Sequence, residues 1–216
     1  MTLWKNNGIG NKPTFIGNMQ LPDKTNNIIP VQLKALIKCL QGLQNSENIT
    51  DIFKNVANKT EGFKALNDLV YYYKNFIFCK MLRNRSDLVA KNLQFVNNLG
   101  IASAPILIDH IKVDDIAGVV ITSFQDCKEQ LPIPYSEYEA TIGPVDNESK
   151  KQFLEDTNIL LKNKKLHPFA LEGPSHWLVS PESKKIILES WSLLQDLSNL
   201  DKEKTLLKIK ENLSIN

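Results

Sequence analysis

The sequence predicts an α+β protein in which helices pack on a mostly antiparallel sheet. Residues 69–82 are dense in aromatic and β-branched side chains, which favour strands. Two further apolar segments, residues 104–113 and 117–124, are separated only by a polar turn at Asp114 and Asp115. Strands joined by such short turns pair antiparallel, whereas parallel strands need a long crossover connection.

Length and charge limit the function classes. The chain has 216 residues, 42% of them hydrophobic and 23% charged, which suits one domain or two small lobes. A formal net charge of +2 is too close to neutral for a nucleic-acid-binding protein, where a concentrated basic face is expected. We therefore expect no nucleic-acid partner.

The sequence shows no pattern typical of a secretory signal or of a membrane-spanning helix. The first residues, "MTLWKNNGIGNKPTF", contain no apolar segment typical of a secretory signal. No apolar run reaches the ~18 residues that a membrane-spanning helix needs. We expect a cytoplasmic protein without a membrane span, although a specialised secretion route would leave no mark here.

Three cysteines, Cys39, Cys79 and Cys127, each adjoin apolar residues and are far apart in the chain. No Cys-x-x-Cys pair exists, which argues against a metal site. We expect reduced and mostly buried thiols.

The first segment, residues 1–48, is predicted to be an arm followed by an amphipathic helix. Glycine, proline and asparagine are frequent in residues 1–29, which indicates loop with one short strand at residues 14–19. In residues 30–44 the leucine and isoleucine side chains fall at helical spacing, and Pro30 suits the first helical turn.

The second segment, residues 49–128, is predicted to be a strand-rich lobe. Short strands are expected in residues 49–66, and the strong strand signal of residues 69–82 is interrupted by a turn or bulge at Lys74 and Asn75. A helix is expected between Ser86, a good N-cap, and Gly100, a good C-terminal stop.

The third segment, residues 129–216, is predicted to be a small helical lobe with a β-hairpin. Prolines and a lack of period in residues 125–147 indicate a connection. A helix follows at residues 149–165. A hairpin of residues 177–179 and 185–188 comes next, and a short helix at residues 201–213 ends the chain.

The element order of residues 49–194 resembles the protein-kinase-like fold, in particular its small bacterial and aminoglycoside-phosphotransferase-like branches. In this resemblance Lys80, in "FIFCKML", matches the phosphate-binding lysine of the third strand. Residues 83–100 match the regulatory helix, and His167 matches the histidine of the catalytic loop. "HWLVSPESKKIILESW" is similar to the hairpin that precedes the metal-binding aspartate.

The sequence departs from this family at the catalytic positions. The helix offers no glutamate to orient the lysine, and Asp87 is expected to favour the helix dipole. No glycine-rich loop precedes residue 69. The expected Asp and Asn positions are occupied by other residues, namely Phe169 with Ala170, His176, and Ser190 with Glu189 just before it.

Five residues are candidates for a site. Lys80 is a candidate for cofactor binding, as a contact to phosphate, or is a lysine at a strand end that reaches solvent. His167 and His176, with Glu172 or Glu189, are candidates for an acid/base or metal cluster. The structural alternative is that His167 caps the preceding helix while His176 packs beside the next tryptophan; on this reading there is no metal site.

These observations predict a catalytically degenerate kinase-like domain that binds another protein as a regulatory module, with no cofactor. Losing several catalytic groups together leaves little activity. The alternative is a divergent ATP-dependent phosphotransferase, which would bind ATP and magnesium through non-standard residues. An unrelated α+β binding protein also remains open. A hydrolase is the remotest option, because no Gly-x-Ser-x-Gly elbow occurs.

Overall fold

The computed structural model describes residues 30–124, 127, 130–163, 165, 174–189, 191, 194 and 201–215. It confirms the predicted α+β class, with one five-stranded antiparallel sheet and one three-stranded sheet. The strand predicted at residues 14–19 lies outside the described residues. The chain divides into two compact units, of which unit 1 is Met1–Lys91 with Leu107–Ser123, and unit 2 is Asn92–Ile106 with Phe124–Asn216.

Unit 1 is built on the five-stranded sheet, whose strand order is β1-β2-β3-β5-β4. Its elements are α1 (Val31–Gln41), α2 (Ile49–Lys59), β1 (Phe63–Ala65), β2 (Val70–Tyr73), β3 (Phe76–Leu82), the first part of α3 (Arg83–Asn98), most of β4 (Ile106–Lys112) and β5 (Ala117–Ser123). Helix α3 enters unit 2 after Lys91.

The predicted interruption at Lys74 and Asn75 is a tight hairpin turn between β2 and β3. Tyr73 pairs directly with Phe76, and Lys74 adopts a left-handed backbone conformation with φ of 52°. This turn gives the two strands a fixed register, so that Tyr71 lies opposite Phe78 on one face of the sheet.

Helix α2 covers that face of the sheet. The ring of Phe53 lies 4.6 Å from Tyr71 and 6.0 Å from Phe78, measured between centroids, and all three side chains are fully buried. Aromatic pairs at these distances add to the stability that burial of their area provides. This aromatic cluster is the core of the α2 face.

Helix α3 packs on the opposite face. In the register between β3 and β5, Gly118 pairs with Met81. Met81 lies an odd number of residues from both Phe78 and Lys80 in β3. Successive side chains of a strand point to opposite faces. Ser86 of α3 lies directly against Gly118, so α3 covers the face that carries Met81, and Lys80 belongs to the α2 face.

Three sequence predictions for individual elements are wrong. Residues 49–59 form helix α2 instead of short strands, because Ile49 and Phe53, four residues apart, are both buried on one side of it. Ser86 is not an N-cap, since α3 begins three residues earlier, at Arg83. The predicted connection contains a helix after its second proline, which suits a helix start.

The cysteine prediction is wrong in part. Cys127 is buried, but Cys79 is half-buried and Cys39 is exposed. Cys39 lies between buried positions of α1, and the helical period turns its side chain to the polar side. All three are free thiols.

Unit 2 contains the three-stranded sheet, in the order β6-β7-β8, and three helices of its own among the described residues. These strands and helices are β6 (Ile133–Pro134), α4 (Tyr135–Thr141), α5 (Asn147–Lys162), β7 (Trp177–Val179), β8 (Ile186–Leu188) and α6 (Lys202–Asn212). The β7–β8 pair confirms the predicted hairpin.

Trp177 is the centre of the unit 2 core. Its side chain is fully buried and lies 5.6 Å from the Tyr135 ring and 4.9 Å from the Phe153 ring, measured between centroids. These contacts join β7 to α4 and α5. Asp146 caps α5 by accepting a hydrogen bond from the backbone N–H of Ser149, which starts the helix at a defined residue.

Across the part of the chain that the structure describes, every helix is too short or too polar to cross a bilayer.

Candidate functional site

A cluster of polar side chains joins α3 to β4 within unit 1. Its members, which we call the α3–β4 cluster, are Arg83, Ser86, Asp87, His110 and Lys112. Asp87 is its centre, because its carboxylate lies 2.9 Å from Nζ of Lys112 and 3.5 Å from Nε of Arg83. The Arg83 guanidinium also donates to the backbone carbonyl of Asp114.

The cluster changes the interpretation of Asp87. The sequence suggested that this residue serves the helix dipole, but α3 begins four residues before it. The carboxylate instead makes an ion pair with a lysine of another element, in a half-buried setting where such pairs are screened less than on the surface. Asp87 thereby ties α3 to the edge strand β4.

His110 extends the cluster into the interior. Its Nε2 lies 2.9 Å from Oγ of Ser86, and its Nδ1 lies 3.8 Å from Oδ1 of Asp87. Burial lowers the pKa of His110 to about 4, with Lys112 and Arg83 acting in the same direction and Asp87 opposing them. The imidazole is therefore neutral near pH 7.

Ser86, His110 and Asp87 thus form a line that has the residue types of a hydrolase triad. Ser86 Oγ, however, also donates a hydrogen bond to the backbone carbonyl of Arg83 at 2.8 Å, and this carbonyl competes with His110 Nε2 for the only proton of the hydroxyl.

Access to Ser86 is also closed. Ser86 and His110 are fully buried, and Oγ of Ser86 lies where any Cβ on Gly118 of β5 would collide with it. No substrate carbonyl can reach a hydroxyl held in this way. The line Ser86–His110–Asp87 serves packing between α3, β4 and β5.

Asp109, the neighbour of His110, lies on the other face of β4. Its Oδ2 accepts a hydrogen bond from the side-chain amide of Gln41 at 3.2 Å, and its Oδ1 accepts from the backbone N–H of His110 at 2.7 Å. Burial raises the pKa of Asp109 to about 6, although both hydrogen bonds oppose the shift. This carboxylate connects β4 to α1.

Lys80, the predicted phosphate contact, lies away from the α3–β4 cluster. Its Nζ donates to Oγ1 of Thr50 in α2 at 3.4 Å, on the sheet face opposite to α3. The acid of α3 therefore pairs with Lys112 of β4 and not with the lysine of β3.

The predicted histidine cluster falls partly outside the described residues, which exclude His167 and Glu172. His176 is half-buried immediately before β7, and its backbone carbonyl accepts a hydrogen bond from the N–H of Glu189 at 3.1 Å. The Glu189 side chain is exposed. Among the described residues, no group of three or more His, Cys, Asp or Glu is arranged to hold a metal ion.

One end of the five-stranded sheet exposes large apolar side chains. Leu69, Leu82 and Ile116, which we call the end surface, are 53%, 64% and 66% exposed. All three line one cleft at this end of the sheet. Backbone hydrogen bonds there join Leu69 to Lys80 and Ile116 to Arg83, each at 2.8 Å.

The end surface borders a cleft of about 530 Å³, which we call the end cleft. Asn67, Val70, Cys79, Lys80, Met81, Arg85 and Ala117 complete its lining. Two turns hold its apolar border in place. Asn67 Oδ1 accepts hydrogen bonds from the backbone of Leu69 and Val70, and Asp114 Oδ1 accepts from that of Ile116.

The sequence contains only partial signals for these features. Asp109 and His110 stand together inside an apolar strand, which indicates one buried polar side chain on each face. The end surface gave no signal, because its exposure depends on the sheet register. Comparison with known proteins finds no family model, no curated protein and no solved structure that matches this chain.

Proposed function

We propose that the chain is a catalytically degenerate kinase-like domain that acts as a protein-binding module. Its strand order β1-β2-β3-β5-β4, with α3 between β3 and β4, is consistent with the element order on which the resemblance rests. The proposal further needs two properties, namely the loss of the phosphoryl-transfer machinery and a surface that is suited to a partner.

The observation that carries the loss of catalysis is the position of the ion pair. Phosphoryl transfer in kinases requires a third-strand lysine that an acid of the neighbouring helix directs towards phosphate. Here Lys80 contacts Thr50 on the α2 face, while Asp87 of α3 pairs with Lys112. The carboxylate of α3 that could orient a lysine is thus paired with Lys112 and not with Lys80.

The end surface supports a binding role. Three large apolar side chains remain exposed beside a cleft, and contiguous apolar surface of this kind marks interaction sites more often than scattered apolar residues do. Burying such side chains against a partner gives roughly 25 cal/mol for each Å² removed from water.

Nucleotide binding is the direct test of the first property. A thermal-shift measurement with ATP and magnesium is expected to leave the melting temperature unchanged, because a ligand stabilises a protein only if it binds the native state. A parallel assay with γ-labelled ATP is expected to show no transfer. A raised melting temperature with transfer that Lys80→Met abolishes, and Lys64→Met does not, would instead establish the divergent phosphotransferase.

A further inference from the structure

The chemistry of the end cleft limits what can bind there. Its charged lining residues, Lys80 and Arg85, are both basic, and its other lining residues are neutral. Its volume of about 530 Å³ lies within the ~300–1,000 Å³ typical of ligand sites. The cleft therefore presents an apolar floor beside positive charge.

Arg85 is the charge best placed to meet a ligand. It lies in the first turn of α3, its side chain is exposed, and it lines the cleft together with Cys79. Burial raises the pKa of the Cys79 thiol, and the positive charge of Arg85 partly opposes that shift. The guanidinium is thus close to the floor of the cleft and still open to solvent.

We propose that the end cleft binds a peptide segment of a partner protein that carries large apolar side chains and a neighbouring carboxylate. The apolar side chains occupy the cleft between Leu69, Leu82 and Ile116, and the carboxylate pairs with Arg85. This inference rests on the proposed protein-binding function and adds the position and the chemistry of the contact.

An anionic membrane and a second copy of the chain are less compatible with the charges around the end cleft. An anionic membrane would meet the whole end of the sheet, including the exposed Asp68 and Asp115 of the adjoining turns, and would repel both. A second copy docked symmetrically through this cleft would bring the two Arg85 side chains towards each other, and like charges at an interface oppose binding. A single peptide carboxylate needs only Arg85 as its partner.

Panning of a random 12-residue peptide phage library on the full chain tests the inference. The selected peptides are expected to combine Leu, Ile, Met or Phe with Asp or Glu. A fluorescein-labelled selected peptide is then measured by anisotropy. Its affinity is expected to fall by about tenfold or more in Leu82→Asp and in Arg85→Glu, because both changes remove a central contact.

Leu207→Asp is the matched control, because Leu207 is 58% exposed on α6 in unit 2. Its affinity for the peptide is expected to stay within about twofold of the wild-type value. A peptide in which Lys replaces the carboxylate residue is expected to recover binding to Arg85→Glu. That recovery distinguishes a specific charge pair from a general loss of affinity.

Four results would overturn the inference. They are a library that yields no enriched peptide, peptides that bind Leu82→Asp and Arg85→Glu as well as the wild type, dimerisation that Leu82→Asp abolishes, and binding to phosphatidylserine vesicles that Leu82→Asp abolishes. Each leaves the nucleotide result untouched. ATP-dependent transfer would refute the proposed function, whereas these results would refute the site.

Discussion

The α3–β4 cluster and the end surface lie in the same unit but differ in two properties, namely chemical reactivity and access to solvent. The cluster holds side chains that can perform chemistry, including Ser86 and His110, but both are fully buried. The end surface is accessible, but its side chains are aliphatic. Ser86 and His110 have reactive side chains that no substrate can reach, and they contribute to packing. The end-surface side chains are exposed and unreactive, which suits contact with a partner. This contrast is the basis on which we propose a binding role for the end surface.

The largest effect is expected at Gly118, where β5 and α3 approach each other closely. A methyl group there would collide with Ser86 Oγ and lie 3.2 Å from the backbone oxygen of Ile111. Gly118→Ala should therefore lower the free energy of unfolding by about 3 kcal/mol, at the upper end for overpacked cores. Urea unfolding measures the change.

Gly42→Ala is the control for that variant, because Gly42 has φ of –80° and its added Cβ meets only backbone oxygens at 3.4 Å or more. It should be close to neutral. Equal stability of both variants would contradict the close packing of Ser86 on Gly118.

The next largest loss of stability is expected when the central carboxylate of the α3–β4 cluster is removed. Asp87→Ala leaves Lys112 and Arg83 half-buried without their carboxylate, which should cost roughly 2–3 kcal/mol, somewhat less than for fully buried pairs. Thermal or urea unfolding would detect it. Asp115→Ala, at an exposed aspartate nearby, should change stability by less than about 0.5 kcal/mol. A loss at Asp115 equal to that at Asp87 would argue against a structural cluster.

Two neighbouring groups of β4 should respond to acid in opposite directions. Asp109 has a pKa raised to about 6, so the native state binds a proton before the unfolded chain does and gains stability as the pH falls from 6 to 4. His110 has a pKa lowered to about 4, so it loses stability as the pH falls from 6.5 to 4. The two contributions largely cancel.

Asp109→Asn removes the first contribution and leaves the second. Relative to the wild type, the variant should lose on the order of 2 kcal/mol of stability between pH 6.5 and pH 4. Urea unfolding at several pH values measures this difference. A variant whose stability follows the wild type across that range would contradict the raised pKa of Asp109.

The sequence predicted the strands of unit 1 well because their signal is local. The aromatic and β-branched residues of β2 and β3 favour strands whatever surrounds them. Helix α2 was missed because its apolar residues are few and a spacing of two to four residues suits both element types. Helix α4 was missed because prolines precede it, although a proline before the first turn is compatible with a helix.

The sites were harder to predict than the fold. The resemblance matches Lys80 to a phosphate-binding lysine, but the face of the sheet on which Lys80 lies depends on the register with β5. The pairing of Asp87 with Lys112 joins residues 25 positions apart, and no local pattern encodes it. Tertiary contacts of this kind cannot be predicted from local patterns, so the sequence alone leaves both catalysis and binding open.

The most direct test of the contrast is the stability of Leu82→Asp. We expect a urea unfolding free energy within about 0.5 kcal/mol of the wild-type value, because a side chain that is 64% exposed contributes little to folding. The same variant should lose the binding of the selected peptide. A loss of several kcal/mol would instead show that Leu82 is covered in the free protein and that the end surface belongs to the core.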